Sequence, residues 1–278
     1  MHFVVCLKQV PDTSEVRIDP ITNTLMREGV PSIINPYDAH GLEEAIHLKE
    51  TVGGKVTIVC MGPPQAKVAL KKAMSFGADR AILLSDRAFG GSDSLATAYI
   101  ISSALKIIHE SEPIDLVFTG KEAIDGDTAQ TGPGIAQRLG FPQLTYTIKV
   151  RELTDTTITV ERKTESGRQV VQAQLPALLT VEKELNDLRY ATLPNMMNAS
   201  AYEPEMWNLT SLKSDVKRMG LKGSPTSVSR IFAPPGRMGG EIMDGIKDPR
   251  ATAASVVQKI FQQNIIMFKP RAKGGKDE

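Results

Sequence analysis

Twelve residues, Gly120 to Thr131 (Gly-Lys-Glu-Ala-Ile-Asp-Gly-Asp-Thr-Ala-Gln-Thr), form the stretch of this chain best suited to hold a charged ligand. They join an apolar strand, Ile114 to Thr119, to an amphipathic helix predicted from about Asp127 to Leu139. A small-residue loop that leaves a parallel strand and enters a helix presents backbone N–H groups at the helix's positive end, a setting for phosphate or pyrophosphate. On this basis the amides of Asp127, Thr128, Ala129 and Gln130 are expected to face such a phosphate or pyrophosphate, with the Thr128 hydroxyl adding a hydrogen bond. One of Asp125 and Asp127 is expected to cap the helix; the other meets a ribose hydroxyl or solvent. Gly126 either allows close backbone approach to a diphosphate or supplies a positive φ to a turn. The segment matches neither Gly-x-Gly-x-x-Gly nor the Gly-Lys-Ser/Thr phosphate loop, which disfavours an ordinary dehydrogenase or ATPase.

The elements that must position this loop alternate along the first half of the chain. Phe3 to Leu7 is an unbroken apolar run, as expected of a strand covered on both faces. Asp38 begins a helix in which Leu42, Ala45 and Ile46 share a face. Val56 to Met61 and Ala81 to Leu84 are further strands, separated by a helix after Gly62-Pro63-Pro64. Ser92 is expected to cap a long helix ending near His109. Alternation of this kind predicts an α/β fold, a doubly wound and mostly parallel sheet, with ligands held at the carboxyl ends of the strands. Four loops meet there: Lys8 to Thr13, Met61 to Gln65, Ser85 to Ser94 and Gly120 to Gln130. Lys8 is either a solvated strand-end residue or a counter-charge to the ligand.

Beyond Gly140 the pattern changes. Thr157 to Val160 alternates, Glu165-Ser166-Gly167 makes a turn, and Gln169 to Leu175 answers as a partner strand. With Leu178 to Val181 this predicts an antiparallel extension of the sheet. Asn186 to Asp215 loses periodicity and reads as irregular, as do Gly220 to Pro225 and Ala233 to Gly245. One amphipathic helix follows, with Asp248 as cap, Pro249 at its start and an apolar face of Val256, Val257, Ile260 and Phe261. It either folds back on the domain or clasps a partner chain. The expected organisation is a nucleotide-binding domain over 1–185, a docking loop and linker over 186–232, and a C-terminal arm and helix over 233–278.

Composition narrows the function classes. Charged residues are 23% and hydrophobic residues 41% of the 278, and the formal net charge is +1, so nothing global favours nucleic acid or an anionic membrane. The basic run Lys269 to Lys276 reads as a solvated tail. Cys6 and Cys60 lie in apolar runs and read as buried free thiols, with no metal-binding spacing. His2, His40, His47 and His109 are scattered and read as surface or helix residues. No apolar run reaches the ~20 residues of a membrane span, and a cytoplasmic protein is expected.

Several motifs together resemble one family. Val5 to Asp12 (Val-Cys-Leu-Lys-Gln-Val-Pro-Asp) resembles the first-strand motif of the β (small) subunit of electron-transferring flavoproteins, as do Gly120 to Asp125 and Gln130-Thr131-Gly132. Val160-Glu161-Arg162-Lys163 through Leu175 to Val181 resembles that subunit's signature, and Leu188 to Asn195 the segment after it. The matches span residues 3 to about 200 in order. The resemblance implies a heterodimer with a flavin-carrying α subunit and an adenine nucleotide in this chain's cleft. By position, the lining residues implied are Cys6, Asn35, Pro36, Tyr37, Asp38 and Met61, with Gly120, Lys121, Glu122, Ala123, Ile124, Asp125, Gly126, Asp127, Thr128, Ala129, Gln130 and Thr131.

In one branch of that family the nucleotide is a structural AMP; in the electron-bifurcating branch it is a second FAD. Pro11-Asp12-Thr13, Asp125-Gly126-Asp127-Thr128 and Gly220 to Thr226 resemble the bifurcating branch, which implies NADH oxidation. It also implies transfer to an acyl-CoA dehydrogenase and to ferredoxin or flavodoxin. Gly90, Gly91 and Ser92 either receive NADH or form a plain loop. Leu193 resembles the protruding anchor by which the family docks dehydrogenases. No general acid, base or nucleophile is expected, because the cofactor carries the chemistry. Two rivals remain: a free-standing adenine-nucleotide sensor and an NAD-dependent dehydrogenase acting alone.

Overall fold

The computed structural model describes residues 1–12, 17–18, 25–26, 32–227 and 240–262; Thr13, Ala233 to Gly236 and Lys269 to Lys276 lie outside them. The chain divides into two units, Met1–Ala233 and Pro234–Glu278.

In the first unit the expected alternation is present. It comprises β1 (His2–Leu7), β2 (Gln9–Pro11), β3 (Arg17–Ile18), β4 (Leu25–Met26), β5 (Ser32–Ile34), α1 (Pro36–Val52), β6 (Lys55–Met61), α2 (Lys67–Met74), β7 (Arg80–Leu84), α3 (Ser94–Ser111), β8 (Leu116–Gly120) and α4 (Thr131–Leu139). There follow β9 (Gln143–Leu153), β10 (Thr157–Thr164), β11 (Gly167–Gln174), β12 (Ala177–Val181), α5 (Leu193–Ala201), β13 (Glu205–Trp207), α6 (Leu209–Leu212) and α7 (Gly220–Gly223). One sheet runs in the order β11-β10-β9-β12-β8-β1-β6-β7-β13. Pairing is parallel from β9 through β12 to β13, and antiparallel among β9, β10 and β11.

The core shows why the run Phe3 to Leu7 does not alternate. Phe3, Val5 and Leu7 pack with the apolar faces of α1 and α2, whereas Val4 and Cys6 pack with α3 and α4. Both faces of β1 are therefore covered, as in other doubly wound sheets. From β1 the chain moves outward to β6 and β7, then returns across to β8 on β1's other side. The winding reverses between β1 and β8, and their carboxyl ends border the opening this creates.

Several expectations need correcting. The strand β9 is absent from the sequence reading because its burial follows no simple alternation, and Tyr146 within it has φ 57°. The stretch 186–215 is not irregular: it holds α5, α6 and β13, which adds to the sheet edge beside β7. Gly220–Gly223 is a short helix. His2 is not a surface residue; it is buried in β1, with Nε2 2.9 Å from the Thr57 hydroxyl. Burial, then the charge of Lys55, lowers its pKa to about 4.

The sign of that shift fixes a pH effect. Between pH 6.5 and 4 the unfolded chain binds a proton at His2 that the folded chain refuses, so His2 costs stability as pH falls through that window. Urea unfolding of His2→Gln at pH 7.5 and 5 is expected to show a smaller acid-side loss than the parent chain. An identical loss would exclude this role.

In the second unit, Asp248 accepts from the Ala251 amide at 2.9 Å and so caps α8 (Pro249–Gln262), as expected. Val256, Val257 and Phe261 on α8 are exposed. Among the described residues, no helix is long and apolar enough to cross a membrane.

Candidate functional site

A cleft of about 380 Å³ opens at the carboxyl ends of β1 and β8, within the size range of ligand sites. Its walls come from the loops after β1, β6, β7 and β8 and from the first turns of α3 and α4. Cys6 and Met61 line it, as do Asn35 and Asp38 at the start of α1. So do Gly120 to Ala123, Gly126 to Ala129, and Thr131. The structure does not place Pro36, Tyr37, Ile124, Asp125 or Gln130 on the cleft wall. Of the second predicted loop, Gly91 and Ser92 line the cleft and Gly90 does not. Leu193 lies elsewhere, exposed in the first turn of α5.

Asp38 joins the two strands at the point of reversal. Its carboxylate accepts from the Lys8 amide at 2.8 Å and from the Gly120 amide at 2.8 Å, one on each oxygen. The group is buried, and that burial raises its pKa to about 7 in spite of these two bonds. Asn35, just before α1, fixes the loop after β8. It donates to the Glu122 carbonyl at 2.8 Å and accepts from the Ile124 amide at 3.2 Å. Gly120 is forced by contact: a Cβ there would sit 2.4 Å from Asp38 Oδ1. Lys8 lines the cleft, with its ammonium paired to Asp125 at 2.7 Å.

The helix after this loop begins later than the sequence suggests. Asp127 and Ala129 have φ of 49° and 53°, which no helical residue adopts, and α4 starts at Thr131. Neither Asp125 nor Asp127 caps it; Gln130 stands at that position with no side-chain cap. Gly126 is not among the left-handed residues, so the turn reading of that glycine fails. The Asp127 amide is occupied, donating to the Ala123 carbonyl at 2.9 Å. Among the described residues, the amides of Thr128, Ala129, Gln130, Thr131 and Gly132 donate to no group of the chain. Left-handed residues alternating with ordinary ones turn successive amides toward one concavity, an arrangement that binds anions.

One residue that sequence reasoning missed tests whether this concavity fits a phosphorylated ligand. Thr119, last but one in β8, has a hydroxyl that is buried without any hydrogen-bond partner and lies on the cleft wall. A buried hydroxyl left unpaired costs about 1–3 kcal/mol, and a phosphate oxygen would satisfy it. Gly132 allows the helix to start against it, since a Cβ at 132 would meet the Thr119 oxygen at 2.6 Å. The sequence signal was present as the single hydroxyl inside Leu-Val-Phe-Thr. The donors here suit an anion: backbone amides, one free hydroxyl and a helix N-terminus.

The opposite wall was also only partly foreseen. Asp93, not Ser92, caps α3, its Oδ1 accepting from the Leu95 and Ala96 amides at 3.0 Å each. The Ser94 hydroxyl donates to Thr128 Oγ1 at 3.1 Å and so ties the two loops together across the mouth. Cys6 and Cys60 are free and buried, and burial pushes both thiols up, Cys60 to about 12. That shift favours the protonated thiol over the thiolate a nucleophile needs.

Comparison with known proteins agrees with the geometry. A family model described as the electron transfer flavoprotein domain matches residues 22–212. The chain is 49% identical to Protein FixA of Azotobacter vinelandii over 270 residues, 95% of this chain and 96% of that one. It is 49% identical over 266 residues to the electron transfer flavoprotein subunit beta of Clostridium acetobutylicum, 96% of this chain and 100% of the relative. A second FixA, from Bradyrhizobium diazoefficiens, is 50% identical over 241 residues, 85% of this chain and 84% of that protein.

Proposed function

The chain belongs to the electron transfer flavoprotein family, and from this we propose that it is the β subunit of a heterodimer that binds FAD in the cleft between β1 and β8. The observation that carries the proposal is the orphaned Thr119 hydroxyl on the wall of an amide-lined mouth. In this proposal the amides of Thr128 to Gly132 and the Thr119 hydroxyl hold the diphosphate. Asn35 and Asp38 keep the loop after β8 in place, acting through backbone bonds. A flavin held there would supply hydride-accepting and single-electron chemistry, and the residues of this chain would bind and orient it.

The bifurcating reading extends this further. NADH enters over Gly91 and Ser92, and the recipients are an acyl-CoA dehydrogenase and a low-potential carrier of the ferredoxin or flavodoxin kind. The C-terminal unit, with the exposed apolar residues of α8, contacts the α subunit. AMP in the same cleft is the second reading, favoured by the modest volume of about 380 Å³. Extraction and quantification of nucleotide from the purified αβ complex separates the two. Two FAD per complex is the expected result; one FAD with one AMP selects the second reading, and an empty cleft overturns both.

Leu193 is proposed as the dehydrogenase anchor. It is 67% exposed, with Tyr190 and Met197 exposed nearby in sequence, and apolar groups held in water in this way mark interfaces. Leu193→Ala is expected to slow dehydrogenase reduction about tenfold, roughly the loss of a moderate anchor, with flavin content unchanged. Loss of flavin instead would show that Leu193 supports the fold.

A further inference from the structure

We propose that the face of α3 around Tyr99 docks the acidic surface of a small soluble electron-carrier protein. The proposal rests on the reading of the cleft as a redox site and names where one recipient binds.

Two guanidiniums converge on one phenol ring. Arg218 lies 4.1 Å and Arg138 5.4 Å from the Tyr99 ring centre, and neither has a carboxylate partner among the described residues. Elsewhere Arg80, Arg151, Arg168 and Arg189 are each paired with a glutamate. Holding two like charges together without a counter-ion is unfavourable and leaves the pair ready for an external anion. Lys217 and Lys222 extend the patch and are exposed. Acids beside it are engaged by the chain. Exposed Asp215 accepts from the Lys217 amide at 2.9 Å while its own amide donates to the Tyr99 hydroxyl at 3.0 Å. The Asp93 carboxylate accepts from the Leu95 and Ala96 amides at 3.0 Å and from the Thr226 hydroxyl at 2.9 Å.

Two further features distinguish this face from an ordinary solvated one. Leu95 and Leu221 are 51% and 68% exposed within it, so an apolar centre is rimmed by cations, the usual composition of an interface. The patch also borders the cleft. The Arg138 guanidinium reaches the Leu95 carbonyl at 3.5 Å, and Leu95 follows the cleft-lining Ser94. On the other side, the Gly220 amide donates to the Ser92 hydroxyl at 3.0 Å, two residues after Arg218. Cations spread over α4, the turn before α7 and α7 itself match a protein's acidic face better than a single phosphate. They would also speed encounter by long-range attraction.

Surface plasmon resonance with a strongly acidic two-cluster [4Fe–4S] ferredoxin, over the full-length chain in its purified complex, tests this. Binding is expected to weaken tenfold or more between 25 and 300 mM NaCl, and tenfold or more in Arg138→Gln/Arg218→Gln. Lys217→Glu/Lys222→Glu, at exposed positions, is expected to do the same and serves if the arginine variant misfolds. Lys149→Glu on β9 is expected to change nothing. No binding at low salt, binding indifferent to salt, parental affinity in both patch variants, or complete displacement by millimolar inorganic phosphate would overturn the proposal. Nucleotide content, read from the flavin absorbance, is expected to be parental in every variant. A parent chain without nucleotide would instead sink the cleft reading, whatever the ferredoxin does.

Discussion

Asp38→Ala is expected to lower Tm by about 10 °C at pH 5 and by much less at pH 8. At pH 5 the substitution removes an acceptor that holds the Lys8 and Gly120 amides, the carboxyl-terminal ends of β1 and β8. Two amides stripped of a partner in a buried place cost about 3 kcal/mol together, and for a chain of this size that is roughly 10 °C. The pH term follows from burial, which holds the Asp38 carboxyl at about 7 against 3.8 when unfolded. Between those values the folded chain keeps a proton that the unfolded chain has released. Stability therefore falls as pH rises from about 4 to 7, and the parent protein carries the penalty of a desolvated carboxylate above that window. Alanine escapes the penalty, so the difference between variant and parent shrinks by about 2 kcal/mol between pH 5 and 8. Denaturant unfolding at both values measures it. A variant as stable as the parent at pH 5, or a gap that does not change with pH, would show that Asp38 does not join the strands in this way.

The Asp38 joint also shows what a sequence can and cannot convey. The unbroken apolar runs of β1, β6, β7 and β8 announced a sheet covered on both faces, because burial on two sides leaves a composition with no period. The alternating hairpin β10–β11 was equally plain. What failed was anything short, set by contact or, like β9, buried without a simple period. The strand β13 has three residues and one neighbour, β7, so it has no period to find. In α5 the cap was legible, since Thr192 accepts from the Asn195 amide at 3.3 Å and Pro194 sits in the first turn. That Thr-Leu-Pro-Asn signal was outweighed by a stretch rich in Asn and Met.

At the cleft, residue type pointed to the right loops but backbone conformation set the roles. A sequence containing Asp125 and Asp127 before an amphipathic helix invites a cap, yet Asp125 is drawn to Lys8 and Asp127 takes a left-handed φ. Just ahead of both, the loop is held by Asn35, 89 positions before Ile124, which bonds the Glu122 carbonyl and the Ile124 amide. Pairing across that distance leaves no local signature. Thr119 is the converse case: the signal was a lone hydroxyl in a buried strand, and only the absence of a partner gives it meaning.

Gly126 offers a test that separates fold from ligand, and Gly126→Leu is expected to abolish nucleotide binding while leaving the empty chain's stability within about 0.5 kcal/mol of the parent. The separation is possible because Gly126 has no structural need to be glycine. Its φ lies outside the left-handed region, and a Cβ built there meets nothing within 4 Å. A leucine would occupy open space beside the cleft, the space that a phosphorylated ligand on the Thr128 to Gly132 amides must share. Ala129→Gly is the complementary change. Ala129 has φ 53°, a conformation that costs an L-residue about 1 kcal/mol, so glycine is expected to stabilise the chain by about that amount while keeping every amide. Nucleotide released by acid from each purified variant and quantified by chromatography, alongside urea unfolding, reads both effects. If Gly126→Leu retained its full nucleotide, the diphosphate would have to lie elsewhere. If it unfolded instead, the loop would be doing structural work that its open surroundings deny.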